Sequence, residues 1–213
     1  MPPIRIFIVD DQQLIREGLS ALLADEPDFD VIGDAGDGLA ALEQIELTRP
    51  DVMLMDIAMP RMNGLEATLQ VKKTYPDITV LILTVTETED QAVACLRAGA
   101  SGYLMKKTNH EELRAAIREV ARGRTYISRG LDADSVRRSV RHGRSETGLD
   151  VLTPRERQVM QLIAEGNRNK EIADTLGVGI KTVETHRTNL MRKLDLHNAA
   201  EITAAAHRLR MVG

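Results

Sequence analysis

Short apolar runs alternate strictly with helix-like stretches through the first half of this chain, and four of the runs end on a polar residue of particular chemistry. Ile4–Val9 leads into Asp10-Asp11, Val52 to Met55 into Asp56, Val80 to Leu83 into Thr84, and Tyr103 to Met105 into Lys106. Neighbouring parallel strands need a long crossover, and an intervening helix supplies it, so this alternation predicts a parallel sheet covered on both faces. The runs VMLMD and VLILT are continuously apolar, as doubly covered strands should be. Open α/β sheets place their sites at the C-terminal strand ends. Three carboxylates, a hydroxyl and an ammonium are therefore expected on one edge, a set that suits a divalent cation and a phosphoryl group.

The pattern predicts five strands and five helices over residues 1–121. A first helix carries Leu14, Gly18, Leu19, Leu22 and Leu23 on one face. A short strand at 31–35 precedes a helix with Leu39, Leu42, Ile45 and Glu46 at helical spacing. A Met59-Pro60-x-x-Asn63-Gly64 loop leads to a helix over 64–75, and another helix follows near 89–98. The last is opened by Thr108 with Glu111 three residues on, the spacing of a capping box. Residues 122–149 are rich in Arg, Ser and Gly and read as a linker, with a short helix near 132–140. From 150 to 213 the pattern is all-helical. Thr153-Pro154-Arg155-Glu156 joins an N-cap Thr, a first-turn Pro and a third-position Glu. Helices over 154–166, 169–176, 180–194 and 199–209 follow, the second stopped at Gly177-Val178-Gly179.

Charge separates the same regions. Residues 1–121 hold 11 Lys+Arg against 21 Asp+Glu, while 151–213 hold 10 against 7, within a whole-chain net of −4. An acidic front suits a cation and a basic back suits a polyanion. Trp is absent, so the cores must be aliphatic. The single Cys95 cannot form an internal disulfide and reads as a small buried hydrophobe. No apolar stretch is long enough for a membrane span, and none resembles a signal peptide, so a cytoplasmic protein is expected.

Asp10, Asp11 and Asp56 close together would repel, and a hard cation with oxygen ligands, such as Mg²⁺, relieves that repulsion. Asp56 then becomes a plausible covalent nucleophile, Lys106 a partner for phosphoryl oxygens, and Thr84 a hydrogen-bond donor to the same group. Any one of these residues alone reads more readily as a helix cap or solvated strand end; it is their joint placement that argues for a site. Val9-Asp10-Asp11, Asp56-x-x-Met59-Pro60-x-x-Asn63-Gly64, Leu83-Thr84 and Gly102-Tyr103-Leu104-x-Lys106 together resemble the receiver domain of two-component response regulators. The resemblance implies a doubly wound, flavodoxin-like sheet, with Asp56 as phosphoacceptor and Asp10, Asp11, Asp56 and the Ala58 backbone around Mg²⁺, Asp10 partly through water. It also implies Thr84 and Tyr103 as paired switch residues and Lys106 as the phosphate-sensing lysine. Gln12 departs from the His often found after the acidic pair, and Lys107 doubles the charge beside Lys106.

In the basic half, two helices joined by a tight Gly-containing turn form a helix-turn-helix pattern. Ile180, Val183, Leu190 and Leu194 face inward, while Lys181, Thr182, Glu184, Thr185, Arg187, Thr188, Arg192 and Lys193 are free to meet bases or phosphates. A solvated helix face is the plainer alternative. Leu152 to Glu156, Asn169-Lys170-Glu171-Ile172-Ala173 and Thr182 to His186 resemble the LuxR-type DNA-binding domain. That resemblance implies DNA contacts from Lys181, Glu184, Thr185 and Thr188, with Lys170 near the backbone and Gly179 in place of a capping Ser or Thr. It makes the last helix, with Ala199, Ile202 and Ala206, a dimerisation element; packing within its own domain is the plainer reading.

A receiver joined to this module resembles the NarL/FixJ subfamily. A phosphorylation-switched transcription factor is implied, with a histidine kinase as phosphodonor and promoter DNA bound by a homodimer; RNA polymerase is a further partner the layout allows. Three rivals are weaker. An aspartate-nucleophile phosphatase would carry a second acid two residues after Asp56, where Ala58 stands. A ligand-sensing LuxR-type regulator needs an apolar, aromatic-lined pocket, for which this chain has few residues. A nucleotide oxidoreductase lacks its glycine-rich loop after the first strand.

Overall fold

A computed structural model describes residues 2–85, 88–142, 151–209 and 211. The chain runs β1 (Ile4–Val9), α1 (Gln13–Ala24), β2 (Phe29–Ala35), α2 (Gly38–Thr48), β3 (Val52–Asp56), α3 (Gly64–Thr74), β4 (Thr79–Thr84), α4 (Glu89–Arg97), β5 (Gly102–Met105) and α5 (His110–Ala121). After these come β6 (Tyr126–Ile127), α6 (Ala133–His142), α7 (Pro154–Ala164), α8 (Asn169–Leu176), α9 (Ile180–Leu194) and α10 (Ala199–Arg208). The strands form one parallel sheet in the order β2-β1-β3-β4-β5-β6. The chain leaves β1 in one direction for β2 and in the other for β3, so the crevice between the ends of β1 and β3 is the topological switch point.

Alternation along the strands sorts the core onto two faces. Phe7, Val9, Met53, Met55, Val80, Ile82 and Tyr103 pack under α2, α3 and α4. Ile6, Ile8, Leu54, Leu81, Leu83 and Leu104 pack under α1 and α5. The central strands β3 and β4 are buried at nearly every position, as their unbroken apolar runs require.

Three expectations are corrected. The sheet has six strands rather than five, because Tyr126–Ile127 pairs with Gly102 and Tyr103 at the β5 edge. Leu14 is 79% exposed rather than on the buried face of α1; it lies at the rim of a solvent-open cleft lined also by Leu83, Met105 and Leu113. The cap of α5 is Asn109, whose side chain accepts from the Glu112 amide at 2.8 Å. Thr108 lies one residue earlier, its amide tied in a turn to Met105 O, and its hydroxyl donates to the Glu112 carboxylate.

Part of the expected linker is ordered structure. The helix placed near 132–140 is α6, whose Val136 is fully buried against the receiver-side core. Ser135 Oγ donates to Glu89 at 2.8 Å and Arg97 to Ser139 O at 2.6 Å, fastening α6 to α4. Residues 143–149 of the linker lie outside the described residues.

The four C-terminal helices have their own aliphatic core of Leu152, Val159, Met160, Leu162, Ile172, Val183, Leu190 and Ile202. Both halves of the Thr153–Glu156 capping box form. Gly177 ends α8 with φ +62°, a left-handed conformation that favours glycine, and so starts the tight turn into α9. Among the described residues no helix is long and apolar enough to cross a membrane.

Candidate functional site

Register carries the polar residues to one place. Val9 pairs with Met55, Asp56 with Leu83, and Thr84 with Met105, so Asp10, Asp56, Thr84 and Lys106 emerge side by side at the strand ends. Asp10, Asp11 and Asp56 each offer a carboxylate oxygen, all within 4.8 Å of one another. Asp10 and Asp56 are buried, whereas Asp11 is exposed. Lys106 Nζ lies 2.6 Å from Asp10 Oδ2 and 3.0 Å from Asp56 Oδ2. The Lys106 main-chain amide donates to Thr84 O at 2.7 Å, which locks the ends of β4 and β5 together.

The electrostatics follow from burial and count. Burial raises the Asp56 carboxyl above its ordinary value, opposed by the hydrogen bond and charge of Lys106. Burial also works against the Lys106 ammonium, yet Asp10 and Asp56 outweigh it and hold its pKa above the ordinary value. Three carboxylates and one ammonium leave two negative charges, and the exposed Asp11 keeps the group open to solvent. Oxygen donors with that residual charge fit a divalent cation of the Mg²⁺ type, with waters completing its shell. Receiver domains generally bind Mg²⁺.

Two supporting residues escaped the sequence reading. Arg16 on α1 pairs with Asp34 on β2 and donates to Asp10 O at 2.9 Å, pinning the backbone of the acidic turn. Arg61, in the loop after Asp56, pairs with the buried Asp37 that caps α2. Gly64 is obligatory: a Cβ there would stand 1.9 Å from Asp56 O, since the Gly64 amide folds back onto Ile57 O. Ala58 is exposed on this loop. Tyr103 is fully buried, its hydroxyl donating to Gln91 Oε1 on α4 at 3.2 Å. Cys95 is buried as expected, and desolvation pushes its thiol up to about 12.

On the helical module, Lys170, Lys181, Thr182, Glu184, Thr185, Thr188 and Arg192 are exposed. Arg187 is half-buried and reaches Asn169 Oδ1 at 3.4 Å. Lys193 is turned inward: its ammonium lies 2.6 Å from Glu156, a buried carboxylate that needs a cation. Lys193 thus braces α9 on α7 rather than standing free with the other DNA candidates. Ile202 and Ala206 are fully buried in their own domain's core, so in this conformation only Ala199 of the three dimerisation candidates is exposed.

The two halves also touch. Gln161 of α7 is 1% exposed; its Nε2 donates to Met59 O at 2.8 Å and its Oε1 accepts from the Asn63 amide at 3.0 Å. Arg157 pairs with the buried Glu66 of α3 at 2.7 Å, and Leu65 packs against both cores. Sequence offered little signal for Gln161, a polar residue set among Val159, Leu162 and Ile163.

Comparison with known proteins agrees with this geometry. Residues 6–118 match the response regulator receiver domain, and residues 150–206 match the bacterial regulatory proteins of the luxR family. The transcriptional regulatory protein DegU of Brevibacillus brevis is 38% identical, over 93% of this chain and 90% of its own. LiaR of Bacillus subtilis, also a transcriptional regulatory protein, is 36% identical over 98% of this chain and 99% of its own. Among solved structures, the response regulator ChrA of a heme-sensing two-component system superposes with TM-score 0.54 at 29% identity, covering 100% of both chains. The chain belongs to the two-component response regulators of the NarL/FixJ subfamily, a receiver joined to a LuxR-type DNA-binding domain, and is a transcriptional regulator rather than an enzyme.

Proposed function

We propose that Asp56 accepts a phosphoryl group from a sensor histidine kinase and that the modified protein binds promoter DNA as a homodimer. The observation that carries this reading is the Lys106 ammonium held between Asp10 and Asp56 beside an exposed Asp11. An Asp56 carboxylate oxygen attacks phosphorus and forms the new O–P bond while the donor's bond to phosphorus breaks, the donor side chain leaving with that electron pair. Asp10, Asp11, Asp56 and the Ala58 carbonyl hold Mg²⁺, which when bound offsets charge on the transferring group. Lys106 then trades its contact with Asp56 for the phosphoryl oxygens, and the Thr84 hydroxyl is drawn toward the same group. Tyr103, already packed under α4, shifts with Thr84.

For output, Lys181, Thr182, Glu184, Thr185 and Thr188 on the exposed face of α9 read the major groove, with Lys170, Arg187 and Arg192 on the phosphates. Lys193 supports this face through Glu156. Dimerisation uses the outward side of α10 around Ala199, and contact with RNA polymerase follows at the promoter. We take 1–121 and 150–213 as the two functional units, joined by the connecting segment 122–149. This reading places the regulator in the cytoplasm, where kinase and promoter are both within reach. The test is labelling by acetyl phosphate with Mg²⁺: wild type should gain an acid-labile phosphate and Asp56→Asn none, and full labelling of that variant would overturn the assignment.

A further inference from the structure

The turn that carries Asp10 and Asp11 is short and has few attachments of its own. At its start the Asp10 amide donates to Ala35 O at 3.1 Å, and at its end the Ile15 amide donates to Gln12 O at 3.0 Å. The Asp10 carboxylate is fixed between these points, by the Gln12 amide at 3.0 Å and by the Lys106 ammonium at 2.6 Å. Asp11 differs. It is exposed, and among the described residues nothing hydrogen-bonds its carboxylate. The direction of that carboxylate therefore follows from the main chain that bears it.

Arg16 is what holds that main chain. Its Nε donates to Asp34 Oδ2 on β2, while its Nη1 donates to Asp10 O at 2.9 Å and lies 3.5 Å from Asp11 O. The side chain is only 17% exposed, so the guanidinium is committed to these partners rather than to water. A planar fork can meet a carboxylate with one nitrogen and a carbonyl with another; an ammonium is a single point charge and cannot span both. With the carbonyls of the turn drawn onto Arg16, the carboxylates of Asp10 and Asp11 are left to face Asp56, all three within 4.8 Å. Asp34 offsets the charge of Arg16, so the surplus negative charge of the pocket survives.

We propose that Arg16 is the positioning residue of the cation site: by anchoring the main chain of Asp10 and Asp11 to Asp34, it holds the Asp11 carboxylate ready to ligate Mg²⁺. This rests on Asp10, Asp11 and Asp56 as the ligands of the Mg²⁺ that supports phosphorylation. Coulomb's law alone gives the opposite expectation, since taking a positive group away from a cation site should tighten Mg²⁺ binding. Positioning predicts loosening, because groups that orient metal ligands are worth roughly 10–100-fold in metal affinity. The sign of the change separates the two.

The experiment is a MgCl₂ titration of the full-length protein without phosphodonor, followed by amide resonances in nuclear magnetic resonance spectra. Arg16→Gln should raise the Kd for Mg²⁺ roughly tenfold or more. Arg16→Lys keeps the charge but not the two-armed reach, and should bind Mg²⁺ within about threefold of Arg16→Gln. Should Arg16→Gln fail to fold, the double variant Arg16→Gln with Asp34→Asn leaves neither charge unpaired. Coulomb's law then expects little change, whereas positioning expects the same loosening. Asp11→Asn tests the ligand set separately and should weaken Mg²⁺ binding by itself. Unchanged or tighter binding in whichever Arg16→Gln variant folds, with Asp11→Asn weakened, overturns the positioning role and leaves the ligand set standing. Full recovery in Arg16→Lys makes charge rather than geometry the cause and also overturns it. Undiminished binding by Asp11→Asn overturns the ligand set, and the role of Arg16 falls with it.

Discussion

Gly64→Ala is the substitution whose consequence follows most directly from distance. An added Cβ would lie 1.9 Å from Asp56 O, 2.8 Å from Asp56 C and 3.0 Å from Met55 Cγ. Side-chain carbons do not approach backbone oxygen below 3.0 Å, so the α3 start and the Asp56 carbonyl must part by about 1 Å. Overpacking of this kind costs about 1–3 kcal/mol, and a displacement of about 1 Å at a reacting group costs roughly 10²-fold in rate. We therefore expect Gly64→Ala to lower Tm by roughly 3–10 °C and to slow acetyl-phosphate labelling about a hundredfold. Gly18→Ala is the control. A Cβ at Gly18, inside α1, meets nothing within 4 Å, and should stabilise the helix by about 0.5–1 kcal/mol with labelling unchanged. Labelling of Gly64→Ala within about threefold of wild type would refute the reasoning, as would equal slowing in both variants.

Lys106→Met should leave Asp10 and Asp56 without their shared cation, costing about 3–5 kcal/mol in Mg²⁺-free buffer; calorimetry should show Mg²⁺ raising its Tm more than that of wild type, and equal shifts would contradict the pairing. Glu156 is shifted in the opposite direction to Asp56. Burial works to raise it, but the Lys193 and Thr153 hydrogen bonds outweigh burial and hold it below its ordinary 4.5. Its contribution to stability is complete above about pH 4.5 and is lost as pH falls through the lower folded value, so Glu156→Gln should flatten the acid limb of unfolding followed by circular dichroism. DNA affinity should fall roughly 10³-fold or more between about 50 and 200 mM salt if a dimer neutralises at least about six phosphates; a flat salt response in filter binding would remove α9 and Lys170 as the binding face.

The acidic pocket was legible because sheet topology does the assembling. Once alternation implies a parallel sheet, residues at strand ends such as Asp10, Asp56, Thr84 and Lys106 are neighbours whatever their separation in sequence. The helical module was legible for a local reason: a capping box at Thr153 and a left-handed glycine at Gly177 mark helix ends without tertiary information. Contacts between distant side chains were not legible. Lys193 looks like a free cation on a basic helix until Glu156, on α7, is seen beside it. Ile202 and Ala206 fit a packing stripe equally well inward or outward, and only the position of α7 decides that they are core. The two-residue β6 lies in a segment whose Gly123, Arg124 and Ser128 read as linker, too short for any period to register.

The polar character of the α7 contact bears on how such a switch can work at all. Two hydrogen bonds from Gln161 to the receiver contribute about 0.5–1.5 kcal/mol each. The Arg157–Glu66 pair adds less than its short distance suggests, because taking both charges from water offsets much of their attraction. The docked state is thus favoured by a few kcal/mol at most. Carrying a two-state equilibrium almost completely across requires about 5.5 kcal/mol, and a phosphoryl group on Asp56 would add roughly −1.5 to −2 charges three residues before Met59, whose carbonyl accepts from Gln161. A contact of this size can be overturned by that change, whereas an apolar interface several times larger could not. Leu65, the one apolar side chain among the described residues that packs against both cores, is small enough to leave the balance with the polar groups.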